Sequence, residues 1–176
     1  MNIHALSSDR GPSGIAIVRI SGKDSLHVCK NLTQLKEIKS NEINFCKFYD
    51  PKTDKVIDPE ALLLWFPGPN SYTGDDLAEF QVHGSNAVIN ALLKALSEQE
   101  NCRLAEPGEF TKRAFINGKI DLLQAEAVGA LIKSKSEAAA RINRQTLGGA
   151  LSKHLNNINL DLISVVGKIE HAIDII

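Results

Sequence analysis

Proline, aromatic residues and cysteine are missing from the last third of the chain. All six prolines lie at or before Pro107 and all nine aromatics at or before Phe115; the three cysteines are Cys29, Cys46 and Cys102. Residues 119–176 thus lack the turn formers and large flat side chains of a mixed domain, and the break marks a change of structural type. An excess of one charge is lacking too, with 20 Lys and Arg against 21 Asp and Glu. Both sides of the break are near neutral: 13 basic and 15 acidic side chains before it, 7 and 6 after it. A protein that grips nucleic acid by its backbone carries a basic excess, so any such contact is local or made by another part or a partner.

No run of 18 apolar residues occurs, which excludes the pattern of a membrane-spanning helix. The first ten residues lack the basic head and apolar stretch of a signal peptide. The few, widely spaced cysteines read as reduced thiols of a cytoplasmic protein. With 43% apolar and 23% charged residues, disordered and fibrous classes are excluded. The phosphate-binding pattern G-x-x-x-x-G-K-[ST] is missing: ahead of the three Gly-Lys pairs, the leading glycine falls on Ile17, Arg113 and Leu162. No G-x-G-x-x-G occurs, and the five histidines show no metal-ligand spacing. Gly11-Pro12-Ser13-Gly14 has the shape of an RNA-clamping loop but precedes a strand pattern, so it reads as a turn.

Residues 1–118 read as α+β. Ile15–Ile20 is a β-branched run between Gly14 and Ser21-Gly22, and residues 23–32 suit a short helix. Asn44–Tyr49 and Ala61–Phe66 are strand patterns ended by Asp50-Pro51 and Pro67-Gly68-Pro69. Leu77–Val82 alternates, and Ser85–Gln99 has Val88, Leu92, Leu93 and Leu96 at helical spacing with Ser85 or Asn86 as cap. Residues 119–176 read as helix only. One helix is predicted over Leu122–Ile132 and a longer one over 136–176, with Gly148-Gly149 as a kink or a close helix crossing. Its apolar stripe runs from Leu147 to Ile173 and the uncapped Ile175-Ile176 end, too wide for two helices to bury, so further helices are expected from more chain or a partner.

Four places carry more chemistry than a scaffold needs. Arg19 interrupts an apolar strand, either facing solvent from an edge strand or presenting its fork to a carboxylate or phosphate in a cleft. Glu79 either belongs to an ordinary polar face with Gln81 or accepts two N–H bonds from a flat heterocycle. The turn-rich stretch 67–76 is a rigid connection or a functional loop. Lys119 follows the Asn117-Gly118 turn, as a solvated linker residue or at a domain junction that holds a ligand.

Three stretches together resemble a known family: Gly14–Gly22 (GIAIVRISG), Leu64–Asp76 (LWFPGPNSYTGDD), and Pro107–Lys119 running into Ile120-Asp121-Leu122-Leu123. They resemble the N-terminal region of the MnmE/TrmE tRNA-modification GTPases. The resemblance implies an N-terminal α/β folate-binding and dimerisation domain over 1–118, similar in fold to the aminomethyltransferase type. It implies that 119–176 are the first part of an incomplete all-α domain, which in the family is split by an inserted GTPase domain. The implied cofactor is 5-formyltetrahydrofolate or 5,10-methylenetetrahydrofolate. It supplies a one-carbon unit for the carboxymethylaminomethyl-type modification at C5 of the wobble uridine of tRNA, made with the FAD protein MnmG. The family positions fall on Arg19, Glu79 and Lys119: Glu79 for the paired pterin N–H groups, Arg19 and Lys119 for carbonyl or carboxylate groups. GTP, magnesium and potassium are expected only in the GTPase domain, so this chain alone neither hydrolyses GTP nor completes the tRNA chemistry. A folate-independent assembly module is the alternative, and a free-standing one-carbon transferase a third reading. His83-Gly84-Ser85 departs from the family, which often has a second glycine there, and none of the three cysteines falls on a catalytic position.

Overall fold

The chain is seen here in a computed structural model that describes residues 1–9 and 11–174. Ile175 and Ile176, the apolar end noted in the sequence, lie outside the described residues. The chain divides into two units, Met1–Lys119 and Ile120–Ile176.

The first unit is a mixed α/β layer built on one six-stranded sheet. Its elements are β1 (Asn2–Leu6), β2 (Ser13–Ser21), α1 (Ser25–Thr33), β3 (Ile43–Tyr49), β4 (Val56–Phe66), β5 (Leu77–Gly84), α2 (Asn86–Ser97), β6 (Cys102–Leu104) and α3 (Glu109–Ile116). The strand order is β3-β4-β5-β2-β1-β6, antiparallel except for the parallel pair β1 and β6. β2 therefore lies inside the sheet, and the edge-strand reading of Arg19 is corrected: the strand's second neighbour, β1, carries no clear alternation to betray it.

Strand side chains alternate between faces. One face holds the core, where Val18, Leu63 and Phe80 pack under α1 and α2 through Val28, Cys29, Leu32, Ile89, Leu92 and Leu96. Each such side chain, fully buried, contributes roughly 1.5–3 kcal/mol. α2 starts where Ser85 Oγ accepts the Val88 N–H at 3.2 Å. The other face carries a transverse row set by the register, Ile43, Leu64, Glu79, Arg19 and Ala5. Ile43 at the end of that row is exposed, as are Ile15 and Phe45 beyond it, Phe45 at 81%.

The second unit contains α4 (Leu122–Ile132), α5 (Glu137–Leu147) and α6 (Ala150–Asp174). Asp121 and Gln124 form a reciprocal capping box at the start of α4. The single long helix predicted over 136–176 is instead two helices. Gly148 caps α5 by donating to the Arg144 and Thr146 carbonyls, and Gly149 at φ +81° takes a left-handed turn that side-chain-bearing residues resist. Gln124 Nε2 donates to the Leu147 carbonyl at 2.8 Å, tying α4 to the end of α5. Ala127 is the one buried residue among the described residues of this unit, while Leu155, Ile158, Leu162, Val165 and Ile169 stand exposed along α6. No helix among the described residues is long and apolar enough to cross a membrane.

Candidate functional site

Antiparallel pairing of β2 and β5 sets Arg19 directly opposite Glu79. The guanidinium donates from Nε at 3.0 Å and from Nη2 at 2.6 Å, both to Oε1 of Glu79. The side chains are only 25% and 19% exposed, so this charge-assisted contact is stronger than an open surface pair. The guanidinium carbon lies 5.4 Å from the ring centre of Tyr72 and 5.6 Å from that of Phe110, within cation–π range of both. A carboxylate and two aromatic rings thus surround one planar cation.

Tyr72 belongs to the 67–76 loop, which is held at many points. The Gly68 N–H donates to Asp76 Oδ1 at 2.8 Å, the Gly74 N–H to Ser71 Oγ at 3.0 Å, and Ser71 Oγ to the Asp75 carbonyl. The buried hydroxyls of Thr73 and Ser21 lie 2.7 Å apart, fastening the loop to the end of β2. The Gly22 N–H donates to the Asp76 carbonyl at 2.9 Å. The loop is a fastened platform, not a loose connection.

Phe110 comes from α3. Its first turn is anchored by Glu109, 8% exposed, whose carboxylate accepts from Arg103 Nη1 at 2.8 Å and Nη2 at 2.5 Å and from the Glu106 N–H at 2.9 Å. The Arg103 hydrogen bonds, with the Glu106 N–H and the nearby Arg113 charge, hold its carboxyl down to about 2. Arg113, one helical turn on, donates to the carbonyls of Ser21 at 3.2 Å and Met1 at 3.0 Å and lies 3.7 Å from Asp75. The Tyr72 and Thr111 hydroxyls are 2.9 Å apart, closing α3 on the loop.

Lys119 is not in hydrogen-bond contact with either member of the pair. Its Nζ donates to the Pro69 carbonyl at 2.9 Å, and its backbone N–H to Ala114 at 2.8 Å. Of the three residues singled out in the sequence, two meet face to face and the third grips the loop that carries Tyr72. Tyr72, Phe110 and the Arg103–Glu109–Arg113 cluster were not singled out. Glu109 and Arg113 stand at the i, i+4 spacing of a helical pair, a signal present in the sequence once a helix is assumed there.

Residues 2–119 match the family described as GTP-binding protein TrmE N-terminus. A protein named tRNA modification GTPase MnmE from Pelagibacter ubique is 46% identical over 174 residues, covering 99% of this chain and 39% of that protein. Its namesake from Aquifex aeolicus is 41% identical over 173 residues, covering 98% of this chain and 38% of the relative. Another, from Streptococcus pneumoniae, is 40% identical over 175 residues with the same shares, 98% and 38%. The chain spans under two fifths of the length of these curated relatives.

Proposed function

Because the chain belongs to the TrmE N-terminal family, we propose that it is the cofactor-binding and dimerising part of a tRNA-modification GTPase. In this reading its first unit, akin in fold to the folate-binding aminomethyltransferases, holds a reduced folate, 5-formyltetrahydrofolate or the 5,10-methylene form. The bound folate supplies the one-carbon unit for the C5 modification of the wobble uridine. An FAD protein of the MnmG type and tRNA are the partners, in the cytoplasm. GTP, magnesium and potassium belong to the part of the relatives that this chain does not span, as do the helices that would cover the exposed stripe of α6.

The observation that carries the reading is the Glu79 carboxylate holding a planar donor group, the Arg19 guanidinium, that lies against two aromatic rings. A pterin offers a flat body with two N–H donors on one edge, and each hydrogen bond to a charged acceptor is worth roughly 1.5–3 kcal/mol. Glu79 would receive that edge, Tyr72 and Phe110 would pack the rings, and Arg19 and Lys119 would serve carbonyl or carboxylate groups. The residues present fit such a ligand, since the carboxylate already accepts a planar N–C–N donor unit from Arg19.

The test is a thermal melt with 5-formyltetrahydrofolate. Ligand at 100 times its Kd raises native stability by about 2.7 kcal/mol, so a saturable rise in Tm is expected, and a flat response removes the folate reading. The second reading, a folate-independent assembly module, is favoured by the exposed Ile15, Ile43 and Phe45 on the sheet. It predicts a homodimer by sedimentation with no ligand-induced shift.

A further inference from the structure

The flat cation held by Glu79 has the outline of something else. A guanidinium is a planar N–C–N unit with donors along one edge. The amino-pyrimidinone end of a pterin contains the same unit: a ring N–H and an exocyclic amine, parallel, on a flat body. In this structure Arg19 directs Nε and Nη2 at one oxygen of Glu79 and lies against Tyr72 and Phe110. A ligand that uses Glu79 in this way needs the acceptor and the space that Arg19 already has.

We propose that Arg19 is the resident occupant of the Glu79 slot, standing in for the guanidine-shaped edge of the ligand, and that binding displaces it from Glu79. The inference rests on the folate reading of this site and changes the part that Arg19 plays in it. Without ligand, the arginine keeps a largely covered carboxylate paired, because an unpaired one is costly. With ligand, it swings out by its exposed side, and its charge becomes available to a carbonyl or carboxylate further along the same molecule. The slot is selective as a result. A single donor cannot replace the two that Arg19 supplies, whereas an edge with two parallel donors can. Occupancy by Arg19 also lowers apparent affinity by the fraction of molecules in which the slot is free.

The decisive probe is 6-methylpterin, which has the edge and no tail, with lumazine as control because its second carbonyl replaces the amine. Calorimetric titration should show Arg19→Met binding 6-methylpterin about tenfold tighter than the unaltered chain, the factor that 1.4 kcal/mol converts to, with lumazine bound by neither. Equal or weaker binding of 6-methylpterin by Arg19→Met, or no binding to either protein, overturns the proposal. A second measurement needs no variant: the Arg19 Nε–H resonance should exchange faster with water once 6-methylpterin saturates the unaltered chain. Its persistence as a protected signal in the saturated complex overturns the proposal. The folate reading is judged separately. A melt that responds to 5-formyltetrahydrofolate while the Nε–H stays protected leaves that reading standing and removes the displacement alone.

Discussion

Asn117 Nδ2 donates to the Thr73 carbonyl at 2.7 Å, so the residue that ends α3 holds the loop that carries Tyr72. Gly74, next in the loop, has φ +81°, and a Cβ there would stand 3.0 Å from Asn117 Cβ and 3.2 Å from Lys119 Cγ. Gly74→Ala is expected to lower stability by about 1–2 kcal/mol, from backbone strain and crowding together. The check is the urea midpoint beside that of Gly14→Ala, where the added carbon meets nothing within 4 Å. Equal midpoints would show that the loop has room to yield.

Glu79→Gln keeps the size of the side chain and removes its charge. It is expected to weaken 5-formyltetrahydrofolate binding at least tenfold, since each lost charge-assisted hydrogen bond is worth roughly 1.5–3 kcal/mol. Isothermal titration at neutral pH measures this, and unchanged affinity takes Glu79 out of the site.

The Glu109 carboxyl is held at about 2 against an ordinary 4.5. Its folded value lies below its unfolded one, so its contribution is full above about pH 4.5 and declines as pH falls toward 2. Glu109→Gln should be less stable than the unaltered chain at pH 7, with the difference narrowing through that window. Denaturation midpoints at pH 7, 4 and 3 follow it, and a gap that stays constant with pH rules out the carboxylate as the cause.

His4 is fully buried, with Nε2 3.2 Å from Ser97 Oγ and Nδ1 without a partner among the described residues. Burial lowers its pKa from 6.5 to about 4. Between those values the unfolded chain binds the proton more readily than the folded one, so stability falls as pH drops from 6.5 to 4, by about 2–3 kcal/mol. Replacing His4 by Gln should flatten that part of the pH–stability curve, and a slope that survives the change assigns it elsewhere.

The elements legible in the sequence are those whose pattern is local. β2 shows as an unbroken β-branched run and β5 as an alternation that puts Ala78, Phe80 and Val82 on one face, and Ser85 marks the start of α2. β1 and β6 were not legible: they are five and three residues long, and their pairing joins positions about 100 apart. α3 was hidden because its eight residues bury only Glu109 and Ala114, leaving no apolar stripe to read. For the site, Arg19 stood out as a charge in an apolar strand, whereas Glu79 fitted an ordinary polar face with Gln81 as readily as a binding role. That they face one another depends on the register of strands 60 positions apart, which no local window contains. Phe110 was unreadable for the same reason, since only folding brings α3 to the loop.

β1 precedes every other described strand in the chain, yet its second partner lies about 100 positions further on. On the ribosome, Asn2–Leu6 waits for Ser13–Ser21 on one side and, on the other, for Cys102–Leu104 to clear the exit tunnel. The Met1 carbonyl waits longer, for Arg113. Long-range closures of this kind are slow, so this edge of the sheet is completed only once residues as far along as Arg113 have left the ribosome.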